Sequence, residues 1–546
     1  MTSVREGANS ASAADALRRL RSPMVPAGLL ILLFVLLGFF VATQPNEYGR
    51  TFDEELQDEY GVAVLAWYTS AGADQSFLAF PPILHMPQHG PLFETVVAAV
   101  QSVTGERWTT RAVVTAVAAL LGVLAIALCG YELGGWWMAF LSAAGLALYP
   151  RYSGAMFNNP KDVPFAAAMV FVLWLTLRLI RRWPRPRAFL LDGALVGLAI
   201  GAATSIRVVA VVWYPLLGLV LLGYWLRHGA AHRAGGAWRA ALAKQALCAA
   251  SVVSVSVLAM CAFWPYVFLD PLPHFIESVR AMTNYPWVGM VPLGDQSYSS
   301  LDLPRRYTIE WLVIGSPPLV VVFGIVGGLL ALVQLLRIRT GDARIVLVGL
   351  CFGVPLVAFI VLRSTMYNGL RHFLFVVPPL ILLAAYGLSR SMSFLMARRQ
   401  RVLAGALVGL ALLAQVELTA AITRIHPYEY SYFSPVVGGF RGAVGRYELD
   451  YWGTCNKAAA QWLASNHGAH LVAAPGQPLT VRSSGLAFLV TTYLPPDVFR
   501  HDYQIEHPDF YIRSMHYVAD EFPSYTTIHE VLVEGHAICT VKRRPG

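Results

Sequence analysis

Residues 24–43 read MVPAGLLILLFVLLGFFVAT, twenty residues without a charge. A helix rises ~1.5 Å per residue, so this run is as long as the hydrocarbon of a bilayer is thick, ~30 Å. Further apolar runs follow near 111–131, 135–150, 163–180, 188–206, 208–226, 245–268, 311–336, 345–362, 373–389 and 402–422. The run at 135–150 is the shortest. Together they predict an α-helical polytopic membrane protein with about eleven transmembrane helices.

Composition agrees. The chain has 546 residues, 56% hydrophobic and 13% charged, with mean hydropathy +0.54. A soluble domain carries about twice that charge. The formal net charge of +9 does not point to nucleic acid, because most of the excess sits in short loops between apolar runs and reads as a topology signal. The first run is followed by Gln44-Pro45-Asn46-Glu47, which is not a signal-peptide cleavage site.

The basic residues order the helices. Arg18, Arg19 and Arg21 precede the first run, placing residues 1–23 in the cytoplasm. Alternation then puts Arg181, Arg182, Arg185 and Arg187 on the same side, with Arg227, Arg233, Arg239 and Lys244, then Arg337, Arg339 and Arg344, then Arg390, Arg398, Arg399 and Arg401. The opposite, extracytoplasmic side receives a long first loop (44–110), loops at 151–162, 269–310 and 363–372, and everything after about 425. Residues 24–424 form the membrane domain, and 425–546 a small extracytoplasmic α/β domain. The latter shows a helical pattern near Lys457–Ser465, a strand-like Leu471-Val472-Ala473-Ala474 and a hairpin from Thr527 to Lys542. Of six cysteines, Cys129, Cys248, Cys261 and Cys351 fall in or beside apolar runs and read as packing residues. Cys455 and Cys539 could pair if the C-terminal region is extracytoplasmic.

Three outer loops hold the chemistry. The first opens Thr51-Phe52-Asp53-Glu54-Glu55-Leu56-Gln57-Asp58-Glu59-Tyr60. Thr51 and Glu54 have capping-box spacing, and Phe52, Leu56, Tyr60 and Val64 share one face of an amphipathic surface helix. Capping needs one acid, yet five lie within seven positions. Such crowding raises carboxylate pKa values and suits a general base or a cation site. The loop continues His85-Met86-Pro87-Gln88-His89-Gly90-Pro91-Leu92. Pro87 breaks helical spacing between the histidines, so a polar turn before a second surface helix is expected rather than a zinc site. The second loop reads Met156-Phe157-Asn158-Asn159-Pro160-Lys161-Asp162-Val163-Pro164. Asp162 there is either a helix cap or an interfacial acid paired with the site. The 363–372 loop reads Arg363-Ser364-Thr365-Met366-Tyr367-Asn368-Gly369-Leu370-Arg371-His372. Arg371 either snorkels to headgroups or offers its fork of donors to a phosphate.

Taken together, these motifs resemble the GT-C superfamily, in particular family 39-like glycosyltransferases, the group of protein O-mannosyltransferases and bacterial aminoarabinose transferases. Phe52-Asp53-Glu54 resembles that family's Asp-Glu motif after the first helix. His89-Gly90-Pro91-Leu92 is similar to its His-Pro-Pro-Leu stretch, with Gly for the first Pro. Arg371-His372-Phe373 with Pro378 resembles its Arg-Tyr-x-x-Pro helix start, with His for Tyr. Asn159-Pro160-Lys161-Asp162 stands where a second acidic site is carried, and Tyr447-Glu448-Leu449-Asp450-Tyr451-Trp452 resembles a stretch in bacterial members. The resemblance implies a polyprenyl-phosphate sugar donor, an extracytoplasmic active site and inversion at the anomeric carbon. It implies Asp53 as general base, Glu54 and Asp162 as positioning acids, and Arg371, helped by Lys161 and His372, as holder of the departing phosphate. His89, Asn159 and Tyr367 are expected as further substrate contacts. Family members differ in whether they use a divalent cation, and these residues do not require one. The acceptor is left open among glycan, lipid and protein. Tyr428, Tyr430, Tyr432, Tyr447, Tyr451 and Trp452 read either as platforms for sugar rings or as interfacial aromatics.

Two rivals stand beside this. A transporter or flippase predicts ionisable residues meeting at mid-membrane, for which Asp192, Arg207 and Glu417 are the candidates. A non-catalytic assembly or receptor protein would bind its partner through the C-terminal domain.

Overall fold

The computed structural model describes residues 23–183, 188–234, 238–283, 285, 287–337, 340–362, 365–467, 478–515 and 520–545. The expected basic residues Arg18, Arg19, Arg21, Arg185, Arg187 and Arg339, the loop residues Arg363 and Ser364, and the strand-like Leu471–Ala474 lie outside them.

Among the described residues nine helices are long and apolar enough to cross a membrane. Two shorter apolar helices, Trp136–Ala147 and Ala188–Thr204, answer the runs at 135–150 and 188–206. With the nine spans they answer all eleven expected runs among the described residues, a third short apolar helix, Leu92–Thr104, lying in the first loop, and the chain is a multi-pass membrane protein.

Two boundaries differ from the hydrophobic pattern. The run at 311–336 is two helices, Tyr307–Ile314 and Pro318–Leu336. Pro317 and Pro318 lack the N–H groups that would continue the first, so the chain breaks at Gly315-Ser316. The run at 373–389 begins with a tight 3-10 turn, Arg371–Val376, and becomes α-helical only at Val377–Ala397. Pro378 and Pro379 cannot donate back to carbonyls of that first turn, which leaves it in the i→i+3 pattern. This segment is the most buried of the spans and packs against Asp162–Arg182 and Pro318–Leu336. Arg371 therefore sits at the head of the molecule's central strut.

Loops gather at one end of the bundle. The first loop folds into helices Glu54–Thr69 and Leu92–Thr104, which cross so closely that a Cβ on Gly61 would lie 2.5 Å from the Glu94 carbonyl. Leu56, Tyr60 and Val64 of the expected apolar stripe pack with Phe77, Met86, Trp264 and Val267. Phe52 leaves that stripe and abuts Gly453 and Gly485 instead. The C-terminal part carries helix Asn456–His467 and a five-stranded sheet. Strand Leu479–Ser483 pairs in parallel with Phe499–His501 and Phe510–Ser514. The antiparallel hairpin Thr526–Val533 and His536–Arg543 completes the sheet beside Phe510–Ser514. Cys455 and Cys539 form a disulfide that ties the start of the helix to the hairpin. The tyrosines at 428, 430, 432, 447 and 451, with Trp452, are all buried packing residues, so they offer no open platform for a sugar.

Candidate active site

Asp53 stands at the N-cap position of helix Glu54–Thr69 but makes no side-chain capping bond. Its carboxylate points away from the helix and is 30% exposed. Asp162 is the first residue of helix Asp162–Arg182 and is 1% exposed. The cap there is Asn159: its Oδ1 accepts from the backbone N–H of Asp162 at 2.8 Å and of Lys161 at 3.2 Å, and its Nδ2 donates to Asp162 Oδ2 at 3.1 Å. Both ends of the Asn159 amide are thus consumed, and Asn159, expected as a substrate contact, orients Asp162 instead.

Arg371 joins the two acids. One of its terminal nitrogens pairs with Asp53, and its Nε donates to Asp162 Oδ2 at 3.1 Å. The other Asp162 oxygen pairs with Arg207 at 2.6 Å. The indole of Trp452 lies 5.7 Å below the Arg371 guanidinium, a cation–π contact that fixes its plane. Residues 53, 162, 207 and 371 come from four separate elements, and only tertiary packing brings them together.

The Arg371 loop is shaped by its neighbours. Asn368 and Gly369 both have positive φ, 59° and 66°. The Gly369 N–H is held by Tyr307 Oη at 3.1 Å and Glu448 Oε2 at 3.2 Å. Burial pushes the Glu448 carboxyl up to about 8, so it is largely protonated at neutral pH. Asp450 accepts from the N–H groups of Thr454 and Cys455 and from Tyr430, holding the Trp452 turn in place.

Beside the acids lies an excess of positive charge. Lys161 makes no ion pair and no hydrogen bond through its ammonium among the described residues. Burial, with Arg207 nearby, pushes it down to about 8. His89 feels Lys161 and Arg207 as well, and burial first and those charges second hold it well below the usual imidazole range. His89 reaches this place because Gly90 lies against the Ser205–Ile206 backbone, where any Cβ would come within 2.3 Å. Glycine for proline at this point of the motif is therefore a steric requirement. His372 turns its ring edge-on to Tyr367 at 4.5 Å, Tyr367 stacks on Trp287 at 4.1 Å, and His372 Nδ1 has no hydrogen-bond partner among the described residues. Three cations (Lys161, Arg207, Arg371) face two acids (Asp53, Asp162), an arrangement that can hold a doubly charged anion next to a carboxylate.

The rest of the acidic run goes elsewhere. Glu54 is buried and accepts from the Thr51 N–H at 2.7 Å, the capping-box bond. Its other oxygen faces Arg111 at 3.9 Å, and Arg111 also holds Asp58 at 3.3 Å and Glu94 at 2.7 Å. Glu54 thus belongs to the scaffold beneath Asp53 and does not line the site. Among the described residues no group of three or more His, Cys, Asp or Glu is placed to hold a metal ion. A cation between Asp53 and Asp162 would have to displace the Arg371 guanidinium.

The residues of the transporter alternative do not meet. Arg207 belongs to the Asp162 cluster, Asp192 pairs with Arg178 and Arg182, and Glu417 is exposed on helix Arg401–Ile425. The pairing of Arg207 with Asp162 was not readable from sequence: its acid lies in a different loop, and nothing local marks the pairing.

No protein-family model and no curated protein sequence matches the chain. Among solved structures, the Archaeoglobus fulgidus oligosaccharyltransferase in its apo form matches with TM-score 0.50 and 12% identity, over 88% of this chain and 65% of that one. The archaeal oligosaccharyltransferase AglB from the same organism, solved with an inhibitory peptide and a dolichol-phosphate, matches with TM-score 0.50 and 12% identity, over 90% and 69%. ArnT from Cupriavidus metallidurans in the apo state aligns at TM-score 0.49 and 17% identity, over 94% and 98%. The chain spans about two thirds of the length of the archaeal enzymes. It shares their fold, the GT-C fold.

Proposed function

We propose that the protein is a membrane glycosyltransferase that moves a sugar from a polyprenyl-phosphate donor to an acceptor hydroxyl on the extracytoplasmic side, with inversion. The observation that carries this is the cluster in which Asp53 and Asp162 meet Arg371, Arg207 and Lys161 at the loop-bearing end of an apolar bundle.

In this reaction Asp53 takes the proton of the acceptor hydroxyl. The hydroxyl oxygen bonds to the anomeric carbon from the face opposite the phosphate, and the carbon–oxygen bond to the phosphate breaks. The leaving polyprenyl phosphate gains one negative charge. Lys161, Arg207 and Arg371 stabilise that charge because they are already oriented and desolvated, so little reorganisation is needed as it develops. Asp162 sits between Arg207 and Arg371 and spaces them. His89 and His372, neutral or unpartnered, supply further hydrogen bonds, and Tyr367 closes one wall. In the absence of substrate the Arg371 guanidinium neutralises Asp53. A phosphate arriving on Arg371 would draw it away and release the carboxylate as a base, so donor binding and base activation are linked. The polyprenyl chain remains in the bilayer, and the donor reaches the site by lateral diffusion.

The GT-C fold supports this assignment, as do the dolichol-phosphate in one fold neighbour and the separate placement of Asp192, Arg207 and Glu417. The test is transfer of a radiolabelled sugar from a polyprenyl phosphate to endogenous acceptors in membranes containing the full chain. Transfer above control membranes is expected with at least one common donor sugar; labelled donor crossing the bilayer intact, without transfer, overturns the proposal.

A further inference from the structure

A second cleft lies away from the residues just described. It measures about 140 Å³ and runs between helices Met24–Thr43, Trp108–Gly134, Trp136–Ala147 and Arg401–Ile425. Its walls are apolar, with Phe40, Leu120, Leu148 and Ile422 among them. Met24–Thr43 and Arg401–Ile425 are the least buried of the nine spans, so the cleft borders the lipid phase and not the protein core. A cavity of this size and lining takes an apolar ligand the size of a benzene ring, or an equivalent stretch of hydrocarbon chain.

The polar groups of the cleft are unequal. Tyr152 and Ser153 spend their hydroxyls on the carbonyls of Ala119 and Tyr149. Tyr48 and Glu429 stand in the segments that follow the two exposed helices. Glu429 is 3% exposed. Its Oε1 accepts from Tyr48 Oη at 3.1 Å and from His426 Nδ1 at 2.6 Å. Its Oε2, equally buried, has no donor among the described residues, and no Lys or Arg pairs with this carboxylate there. Glu47 adds a second negative charge close to Tyr48 and His426. A buried carboxylate oxygen without a donor is costly and rare, and it is satisfied by an N–H that arrives from outside. Lys457 Nζ donates to the Glu47 carbonyl at 2.8 Å and His426 pairs with Glu429 Oε1, which leaves Glu429 Oε2 as the atom still lacking a donor among the described residues.

We infer that this cleft is a second lipid site, and that it takes a phospholipid whose headgroup ends in a primary ammonium. A chain lies along Phe40, Leu120 and Ile422, and the ammonium donates to Glu429 Oε2. The donor-less oxygen selects the ammonium: a quaternary head has no N–H to give, and an anionic head brings a like charge to the buried Glu429 carboxylate. The inference does not rest on the transfer reaction. None of the cleft residues takes part in it.

The test uses the full chain in nanodiscs of phosphatidylcholine, doped with phosphatidylethanolamine or phosphatidylglycerol of identical chains, with retained lipid counted by native mass spectrometry. Phosphatidylethanolamine should be retained at least about tenfold over phosphatidylcholine, the worth of one charge-assisted hydrogen bond. Glu429→Gln should reduce that preference to near unity, and Ile422→Trp should abolish retention of all three lipids by filling the cleft. Equal retention of ethanolamine and choline lipids by the unaltered chain overturns the inference without any variant. So does a preference for phosphatidylglycerol, or an unchanged preference in a folded Glu429→Gln.

Discussion

Two arginine clusters draw on adjacent residues of the first loop, Glu54 and Asp53, and the two differ in charge. Arg111 is fully buried among Glu54, Asp58 and Glu94, with Arg107 on the rim at 2.6 Å from Asp58. Acids outnumber bases there, three to two. In the cluster of Arg371, Arg207 and Lys161 with Asp53 and Asp162, bases outnumber acids, three to two. One acid of the second cluster is partly exposed, and one base has no ion-pair partner among the described residues. The first cluster closes on itself and holds two surface helices to the bundle. The second is left open toward an anion. A buried ion pair by itself is weak evidence of either stability or function; here the sign of the residual charge, and the partial exposure of Asp53, separate the two.

Removing the proposed base should have the largest effect. Asp53→Asn is expected to lower transfer by ~10³-fold or more, within the range general-base and electrostatic losses reach, while the protein still inserts and its melting temperature stays close to that of the parent chain. Normal turnover of labelled donor by this variant would show that the open cluster is no more catalytic than the closed one.

Arg111→Met should act in the opposite manner. It strands three carboxylates in a buried place, and loss of about 3–5 kcal/mol of stability is expected, read as a lower melting temperature in detergent. If activity fell while melting did not, the scaffold role would be wrong and the closed cluster would join the chemistry.

Arg207→Ala should raise the KM for donor by about ten- to a hundredfold, the worth of one charge-assisted contact, with a smaller change in kcat. Lys161 adds a pH dependence to the same quantity. Its ammonium, pushed down to about 8 by burial, is charged below that value and neutral above it, so donor affinity should fall as pH rises through about 8. Lys161→Arg keeps the charge and should flatten the alkaline side of a kcat/KM profile. A wild-type profile flat from 7 to 9 would exclude Lys161 from the phosphate contact.

The smallest effect belongs to Glu448, whose carboxyl is raised to about 8. The folded form binds a proton that the unfolded chain releases near the usual carboxylate range. This contribution is therefore present in acid and is lost as pH rises through about 8. Glu448→Gln mimics the protonated acid without having to take up a proton, so the variant should be no less stable than the parent chain at pH 7, and the decline of melting temperature toward pH 8 should become shallower. A large loss at pH 7 would mean that the carboxylate form is the one the Asn368–Gly369 turn requires.

Much of the architecture was legible in the chain. Uncharged runs of crossing length have one physical outlet, because a bilayer satisfies no backbone groups and admits only helices at that composition. The hairpin near the C-terminus was marked by its alternation, and the surface helix of the first loop by the stripe Leu56, Tyr60 and Val64. The break at Pro317-Pro318 was less visible, since apolarity continues across it.

The site divided differently. Asp53, Asp162 and Arg371 were each marked as chemically unusual for their place, and the structure brings all three together. What sequence could not do was sort neighbours. Asp53 and Glu54 are adjacent, yet successive residues at a helix start point in different directions, so one meets Arg371 and the other Arg111. Asn159 looked like a contact and is a cap; Arg207 looked like a transport residue and is the partner of Asp162. Hydrophobicity is additive along a chain and can be read from it. Which charge answers which is a matter of a few ångströms between elements distant in sequence, and only the packed fold decides it.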